Sequence, residues 1–420
     1  MRVLWFEVTV PGRYKSGNAP VGGWQDSLQN CVERLHGLEL GIAFEYAGKG
    51  EVRKAGAVTY FPINTHYNLW ERQRRGMSWD IVIEKVNPRA IEIVHEFKPD
   101  IIHVFGSEWS FGMIAEQTDI PVVIHMQGCI MPYDNAFLPP TYSLRDQKAA
   151  CRLNLKRRLG IWKGRRCAAS RAAMEMRNFK AVKYYMGRTD WDESLVELFH
   201  PGAKYYYCSE ALRPSFMETA KPWSPHKNEK FRIVTTGAGI LKGIDTILKA
   251  AKLLKDYRDE NGLPFEFQWI LAGCMSPVHK KMIEKKEGLK YEDCNIILSG
   301  FIGPDELQKT LLSANLYVHS AYIDNSPNSV CEAQYLGLPI IATYAGGIPS
   351  LIENGKEGIL IHTNAPYMLA SKIIRLSKDE ELCRSLGEAS RKRAMERHKP
   401  ENIVKDLFAC YEAVIKDSKN

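Results

Sequence analysis

The sequence predicts two α/β domains, each Rossmann-like and doubly wound on a parallel sheet, facing one another across a cleft. Three observations predict this. Short apolar runs alternate with helix-period segments through the first half of the chain. Residues 218–230 are polar, carry two prolines and read as a linker between domains. The alternation then restarts at Phe231. A length of 420 residues suits two to three domains.

The elements follow in order. Residues 3–10 read as a first strand; Glu7 inside the apolar run, and the lack of a cleavage site, argue against a signal peptide. A Gly22-Gly23 break comes next. Trp24, Leu28, Cys31, Val32 and Leu35 then recur at helical spacing, and Leu38, Leu40, Ile42, Phe44 and Tyr46 alternate at period two. Further strands are predicted at 101–105, 121–124, 181–186 and 204–208. Beyond the linker come a strand at 231–236, a Gly237-Ala238-Gly239 turn and a helix whose face is Ile244, Ile247, Leu248, Ala251 and Leu254. Strands at 265–272, 295–298, 316–319 and 339–343 complete the second sheet, and residues 402–415 form an amphipathic helix. The domains are thus 1–217 and 231–398, joined by 218–230. Such sheets bind ligands beyond the carboxyl ends of their strands.

Composition narrows the class. With 45% hydrophobic and 25% charged residues, the chain is neither disordered, collagenous nor a coiled coil. No apolar run is long enough to span a bilayer. Ten cysteines without a C-x-x-C make neither a disulfide framework nor a zinc site, and suit a reducing cytoplasm. The net charge is +8, but residues 145–188 hold fourteen Lys/Arg against Asp146 and Glu175, a local +12 that leaves the remainder at −4. Leu153, Leu155, Leu159, Ile161 and Trp162 interleave with those cations. A solvated helical face, an anionic membrane surface and nucleic acid all fit such a run. No helix-turn-helix, zinc or base-stacking motif accompanies it, so nucleic acid is not an expected partner.

The segment 319–349 is richest in chemistry. A strand ends near Ser320, a polar loop follows, and a helix starts near Asn328 or Ser329. The free N–H groups and dipole of a helix start make an anion site. Glu332, one turn in, suits hydroxyl groups of a sugar. Equally, Ser329-Val-Cys-Glu332 fits a capping box, in which the glutamate serves only the backbone. Asp190-Trp191-Asp192 spells a D-x-D metal motif but lies at a helix start, where Asp is an ordinary cap; no metal site is expected. Glu108 and Trp109 follow the 101–105 strand, at the right end for an acceptor side. His125 ends the 121–124 run, either lining a pocket or satisfied at a strand end.

These residues resemble the retaining glycosyltransferases of family 4, of GT-B fold. Glu332-Ala333, Gly337-Leu-Pro339-Ile-Ile-Ala342 and Gly346-Gly347-Ile-Pro349 are similar to that family's signature. Leu241-Lys242-Gly243-Ile-Asp245, Gly300-Phe-Ile-Gly303 and Gly22-Gly23 are similar to its other motifs. The resemblance covers essentially the whole chain and is most specific from 231 to 362. It implies a transferase that takes a nucleotide-diphosphate sugar as co-substrate, with no cofactor and no metal, and a glycan or lipid-linked acceptor. It implies that Lys242 contacts the donor diphosphate, Glu332 the ribose, and Asp324 with Asn325, Ser326, Asn328 and Ser329 the donor sugar. Gly22 and Gly23 would let the first loop approach the phosphates, Gly237 and Gly239 would offer backbone N–H groups, and His125 would line the sugar pocket. Residues 399–420 would return to the first domain. The sequence departs from the family in three places: Asp324 replaces a Glu, Gly237-Ala-Gly239 stands where an Arg is usual, and Asn325-Ser-Pro-Asn-Ser329 replaces a Pro-Phe-Gly stretch. A sugar-nucleotide epimerase, an inverting transferase and a non-catalytic nucleotide-sugar or membrane-binding protein are the competing expectations. If the acceptor is lipid-linked, 145–188 would dock the enzyme peripherally on the inner membrane face.

Overall fold

A computed structural model describes residues 1–15, 23–33, 35–218, 222–225, 229–263 and 265–420. The chain divides into two compact units, Met1–Asp134, Leu159–Arg213 and Arg397–Asn420 in one, Asn135–Arg158 and Pro214–Glu396 in the other.

The first unit is built on eight strands: β1 (Arg2–Glu7), β2 (Glu39–Tyr46), β3 (Arg53–Ala55), β4 (Val58–Asn64), β5 (Ile101–Phe105), β6 (Val122–His125), β7 (Tyr184–Gly187) and β8 (Lys204–Tyr207). Their order is β3-β4-β2-β1-β5-β6-β7-β8. All pairs are parallel except β3 with β4, a short hairpin. β1 shows why these strands read as continuous apolar runs. Val3 and Trp5 pack with Trp24, Leu28, Leu407 and Tyr411, whereas Leu4 and Phe6 pack on the opposite face with Val82, Val86 and Ile93. A parallel strand covered on both faces has no polar side to show. Burying each such large side chain contributes about 1.5–3 kcal/mol.

The closing helix, Pro400–Asp417, is tied to this sheet through one tyrosine. Trp5 Nε1–H donates to the Tyr411 hydroxyl at 3.0 Å, and that hydroxyl lies 2.6 Å from His103 Nδ1. Burial pulls the His103 imidazole down to about 3. It is therefore neutral and accepts the tyrosine proton. Asp417, at the far end of the helix, accepts from Tyr184 at 2.8 Å and Lys183 at 3.0 Å.

The second unit carries β9 (Phe231–Thr236), β10 (Phe267–Ala272), β11 (Ile296–Gly300), β12 (Leu316–His319), β13 (Ile340–Thr343) and β14 (Ile359–Ile361), all parallel, in the order β11-β10-β9-β12-β13-β14. Strand order reverses between β9 and β12 here, and between β1 and β5 in the first unit. The crevice outside such a reversal is where open α/β sheets take ligands.

Several local features differ from expectation. β4 and β14 were not predicted. Pro62 sits in β4 where β3, which reaches only to Tyr60, leaves an open edge, so its missing N–H costs no ladder bond. β1 stops at Glu7, and the first helix, Trp24–Val32, stops short of Leu35. Trp223, inside the predicted linker, is buried, with its indole N–H on the Ala314 carbonyl at 2.6 Å. Asn135–Arg158 belongs to the second unit: Tyr142 donates to Glu287 at 2.5 Å and Lys286 pairs with Asp146 at 3.1 Å. All ten cysteines are free thiols. Among the described residues, no helix is long and apolar enough to cross a membrane.

Replacing Tyr411 with Phe leaves the Trp5 donor and the His103 acceptor buried without a partner. The expected cost is about 1–3 kcal/mol, read as a lower urea midpoint at unchanged slope.

Candidate active site

The site of the second unit is made by the loops that leave β9 and β12. After Thr236 the chain turns through Gly237, whose φ of +86° suits glycine. A Cβ there would lie 3.4 Å from Lys242 Cγ, so the lysine stem runs along this turn. Gly239 precedes a single 3-10 turn, Ile240–Lys242, and accepts the Lys242 N–H at 2.9 Å. Gly243, at φ +70°, then opens the helix Ile244–Asn261. On the β12 side, the Ser320 hydroxyl donates to the Lys242 carbonyl at 2.9 Å, and the Tyr322 N–H donates to the Leu241 carbonyl at 2.8 Å. A Cβ on Gly243 would run into the Ser320 carbonyl. The two loops touch backbone to backbone.

Their charges meet at Asp324. Lys242 Nζ donates to Asp324 Oδ2, and His319 Nε2 lies 3.0 Å from the same oxygen. Burial alone would raise the Asp324 carboxyl; Lys242 and His319 outweigh it and hold it well below the usual range. His319 is itself pulled down by burial, so a neutral imidazole donates. A third loop closes from behind. The Gly347 N–H donates to the Asp324 carbonyl at 2.9 Å, and Gly346, at φ +53°, leaves no room there for a Cβ.

The helix Asn328–Leu336 follows directly, with Pro327 at its cap and no capping side chain. This corrects the capping-box reading: Ser329 is the second helical residue, and its hydroxyl meets the Tyr317 phenol instead. Proline φ is preset for a helix start, which moves the boundary one residue ahead of the serine. Glu332 is buried on this helix, as are Asp324, Asn325 and Ser326 in the loop before it, and Tyr317 feels both carboxylates. The structure thus brings Gly237, Gly239, Lys242, Asp324, Asn325, Ser326, Asn328, Ser329 and Glu332 to one sheet end. Asp245, of the Lys-Gly-Ile-Asp motif, accepts from the Tyr322 hydroxyl at 2.9 Å and steadies the β12 loop.

The other predicted residues belong to the first unit. Gly22 lies outside the described residues. Gly23 precedes the Trp24–Val32 helix with open space where a Cβ would stand. His125 ends β6 fully buried, edge-on to Trp24 at 4.9 Å, with no side-chain partner for either ring nitrogen. Burial keeps it neutral. Trp109 packs edge-on to Trp79 at 5.4 Å against the core. The Glu108 carboxylate lies against Gly106 and Gly128, where a Cβ on either would crowd it. Burial, and then the neighbouring Glu175, raise it from 4.5 to about 7.

Two expectations need correction. Thr189, not an aspartate, caps the Asp190–Phe199 helix, taking the Asp192 N–H at 3.2 Å; Asp192 is buried and accepts the Arg188 N–H at 3.0 Å. Nor is 145–188 one cationic face. Arg188 is buried 3.5 Å from Glu210 and stacks on Trp24, Arg177 pairs with Glu116, Arg165 with Asp134 and Lys183 with Asp417. Charge counts along a sequence cannot separate cations consumed by packing from those left outside.

Sequence reasoning missed His319, and it passed over Glu7. Glu7 ends β1 fully buried, with neither oxygen partnered among the described residues, and burial raises it well above the carboxylate range. An acid interrupting an apolar strand was the available sign. Glu175 is also buried, accepting from Ser107 at 2.8 Å and from the Ile130 N–H at 2.8 Å.

Residues 217–393 match the family described as glycosyl transferases group 1. Among curated proteins, the chain is 39% identical over 89 residues to N-acetyl-alpha-D-glucosaminyl L-malate synthase of Bacillus anthracis, covering 21% of this chain and 23% of that one. It is 27% identical over 323 residues to sulfoquinovosyl transferase of Arabidopsis thaliana, covering 73% and 55%. The chain therefore spans about half, or less, of the length of these relatives. Among solved structures, sucrose-phosphate synthase from Thermosynechococcus elongatus superposes with a TM-score of 0.72 at 14% identity, over 99% of each chain. The fold is GT-B, and the match to the family of group 1 glycosyl transferases is confined to residues 217–393.

Glu108 gives a pH test. Its raised folded value means that the protonated carboxyl stabilises the fold fully below about 4.5, and that this contribution is lost as pH rises through about 7. Unfolding by urea between pH 4.5 and 8 should show the wild type losing stability relative to Glu108→Gln as pH rises.

Proposed function

We propose that the protein is a retaining glycosyltransferase that moves a sugar from a nucleotide-diphosphate sugar to a hydroxyl of a glycan or lipid-linked acceptor, in cell-surface polysaccharide synthesis. The observation that carries this is the convergence, at the β9/β12 reversal, of Lys242, Asp324 and His319 with a helix start whose cap residue, Pro327, makes no side-chain cap bond. Those groups suit a diphosphate with a sugar attached. Lys242 and the first N–H groups of the Asn328–Leu336 helix balance the negative charge that develops on the leaving diphosphate. The Gly237-Ala238-Gly239 turn adds backbone N–H groups where the resembling family has an Arg. Glu332 accepts from the ribose hydroxyls, and Asp324 with residues 325–329 holds the donor sugar.

The first unit takes the acceptor, with Glu108 at the end of β5. His125 offers a neutral imidazole for a sugar hydroxyl. The acceptor oxygen attacks the anomeric carbon from the face the diphosphate leaves. One C–O bond breaks, another forms, and a phosphate oxygen takes the acceptor's proton, so the donor's configuration is kept. The charge balance is met by Lys242 and helix N–H groups, without a metal. Names of the relatives above, a glucosaminyl malate synthase and a sulfoquinovosyl transferase, support glycosyl transfer as the chemistry.

Thermal-shift screening of UDP-, GDP- and ADP-sugars with and without EDTA should reveal one donor whose binding EDTA leaves unchanged. With that donor, Glu332→Ala should lower acceptor-dependent nucleotide release by roughly a hundredfold or more. Near-normal turnover in the variant would reject this assignment. Nucleotide release without an acceptor, or a product of inverted anomeric configuration, would reject retaining transfer.

A further inference from the structure

The basic run has a neighbour far from it in the chain. Within the first unit, the helix Leu69–Arg75 lies beside residues 159–181 of the Leu155–Ala181 helix. Lys163 donates to Gln73, the Cys167 thiol meets the Arg75 carbonyl at 3.6 Å, and the Trp79 N–H donates to Ser170 Oγ at 2.8 Å. None of the seven residues of the Leu69–Arg75 helix is buried. Leu69 is 79% exposed and Trp70 85%. On the neighbouring helix Leu159 is 51% exposed and Trp162, three residues on along the same face, 46%.

Cations surround these side chains. No acid occurs from residue 155 to 174. Several of the nearby cations are used internally: Arg74 pairs with Glu84, Arg75 with Glu45 and Arg165 with Asp134. Arg72 and Arg166 enter no ion pair among the described residues. Arg72 Nε donates to the Tyr67 carbonyl at 2.9 Å, and Arg166 lies over the Trp162 ring at 5.2 Å. Two exposed indoles, two exposed leucines and these two cations therefore share two touching helices.

We propose that the helix Leu69–Arg75 and residues 159–181 of its neighbour form one docking face for an anionic lipid bilayer, with Trp70 and Trp162 seated among the headgroups. Indole rings favour that depth, leucines gain from the hydrocarbon beneath, and Arg gains from the anionic surface. A phosphodiester backbone would satisfy the cations but offers nothing to Leu69 and Leu159. The inference does not rest on sugar transfer, and its test reads binding, not turnover.

The full chain is sedimented with vesicles of phosphatidylcholine alone, and with vesicles in which roughly one-third of the lipid is phosphatidylglycerol, at about 0.1 M salt. Binding is expected to the second kind and to weaken as salt is raised. Trp70→Ala should lower the bound fraction about fivefold at fixed lipid, although it lies seventy-five residues before the basic run begins. Arg72→Gln with Arg166→Gln should lower it similarly. Circular dichroism and melting temperature should be unchanged in both, since these side chains are exposed. Equal sedimentation with both vesicles, wild-type binding by Trp70→Ala, or salt-sensitive binding to duplex DNA without vesicle binding would each overturn the proposal.

Discussion

One carboxylate, Asp324, holds three loops of the second unit against one another. Its side chain takes Lys242 from the β9 loop and His319 from the end of β12, and its carbonyl takes Gly347 from the loop after β13. The Asp324 side chain is only 10% exposed, so losing its cationic partner leaves its charge poorly solvated. The close backbone approaches at Gly243 and Gly346 exist to let this contact form. The consequence is preorganisation. Lys242 is held at a fixed place beside an uncapped helix start, so a diphosphate would meet charge already in position, with little reorganisation to pay for. The aspartate that departs from the resembling family's glutamate is the residue that makes this contact.

The first unit handles its buried acids differently. Glu175 is satisfied by a hydroxyl and by helix-start N–H groups, and so acts as an internal anchor. Glu7 and Glu108 end or follow β1 and β5, the strands between which the order reverses, and burial favours their protonated forms. The protonated Glu7 carboxyl and the neutral His125 at the end of β6 give this sheet end hydrogen-bonding groups without charge, and Glu108 gives up its proton only as pH rises through about 7. The second sheet instead ends in an ion pair. The sheet itself is braced from the chain's other terminus by Tyr411, which joins Trp5 of β1 to His103 of β5.

Much of this organisation was legible in the chain. Strands such as β2, β5 and β12 stand out because both faces or one face must be apolar, and Lys242, Asp324 and Glu332 stand out through the family resemblance of the segments that carry them. What escaped did so for physical reasons. Pro62 disguised β4, since a proline in a strand is tolerable only at an edge that the sequence does not reveal. The helix after β12 starts at Asn328, within the expected bounds, but Pro327 takes the cap, so the box that Ser329 and Glu332 spell does not form. His319 gains its meaning only from a contact five residues away across a loop. The basic run was overcounted, because the burial of Arg188 against Glu210 and Trp24 is a tertiary fact.

The central claim is that the Lys242–Asp324 contact preorganises a diphosphate site. Isothermal titration of the free nucleoside diphosphates into wild type and Lys242→Met tests it most directly, because binding is read without turnover. The account predicts that one diphosphate binds the wild type and that its affinity falls at least tenfold in the variant, the equivalent of about 1.4 kcal/mol, while the melting temperature shows the variant still folded. Equal affinity in the folded variant would contradict it.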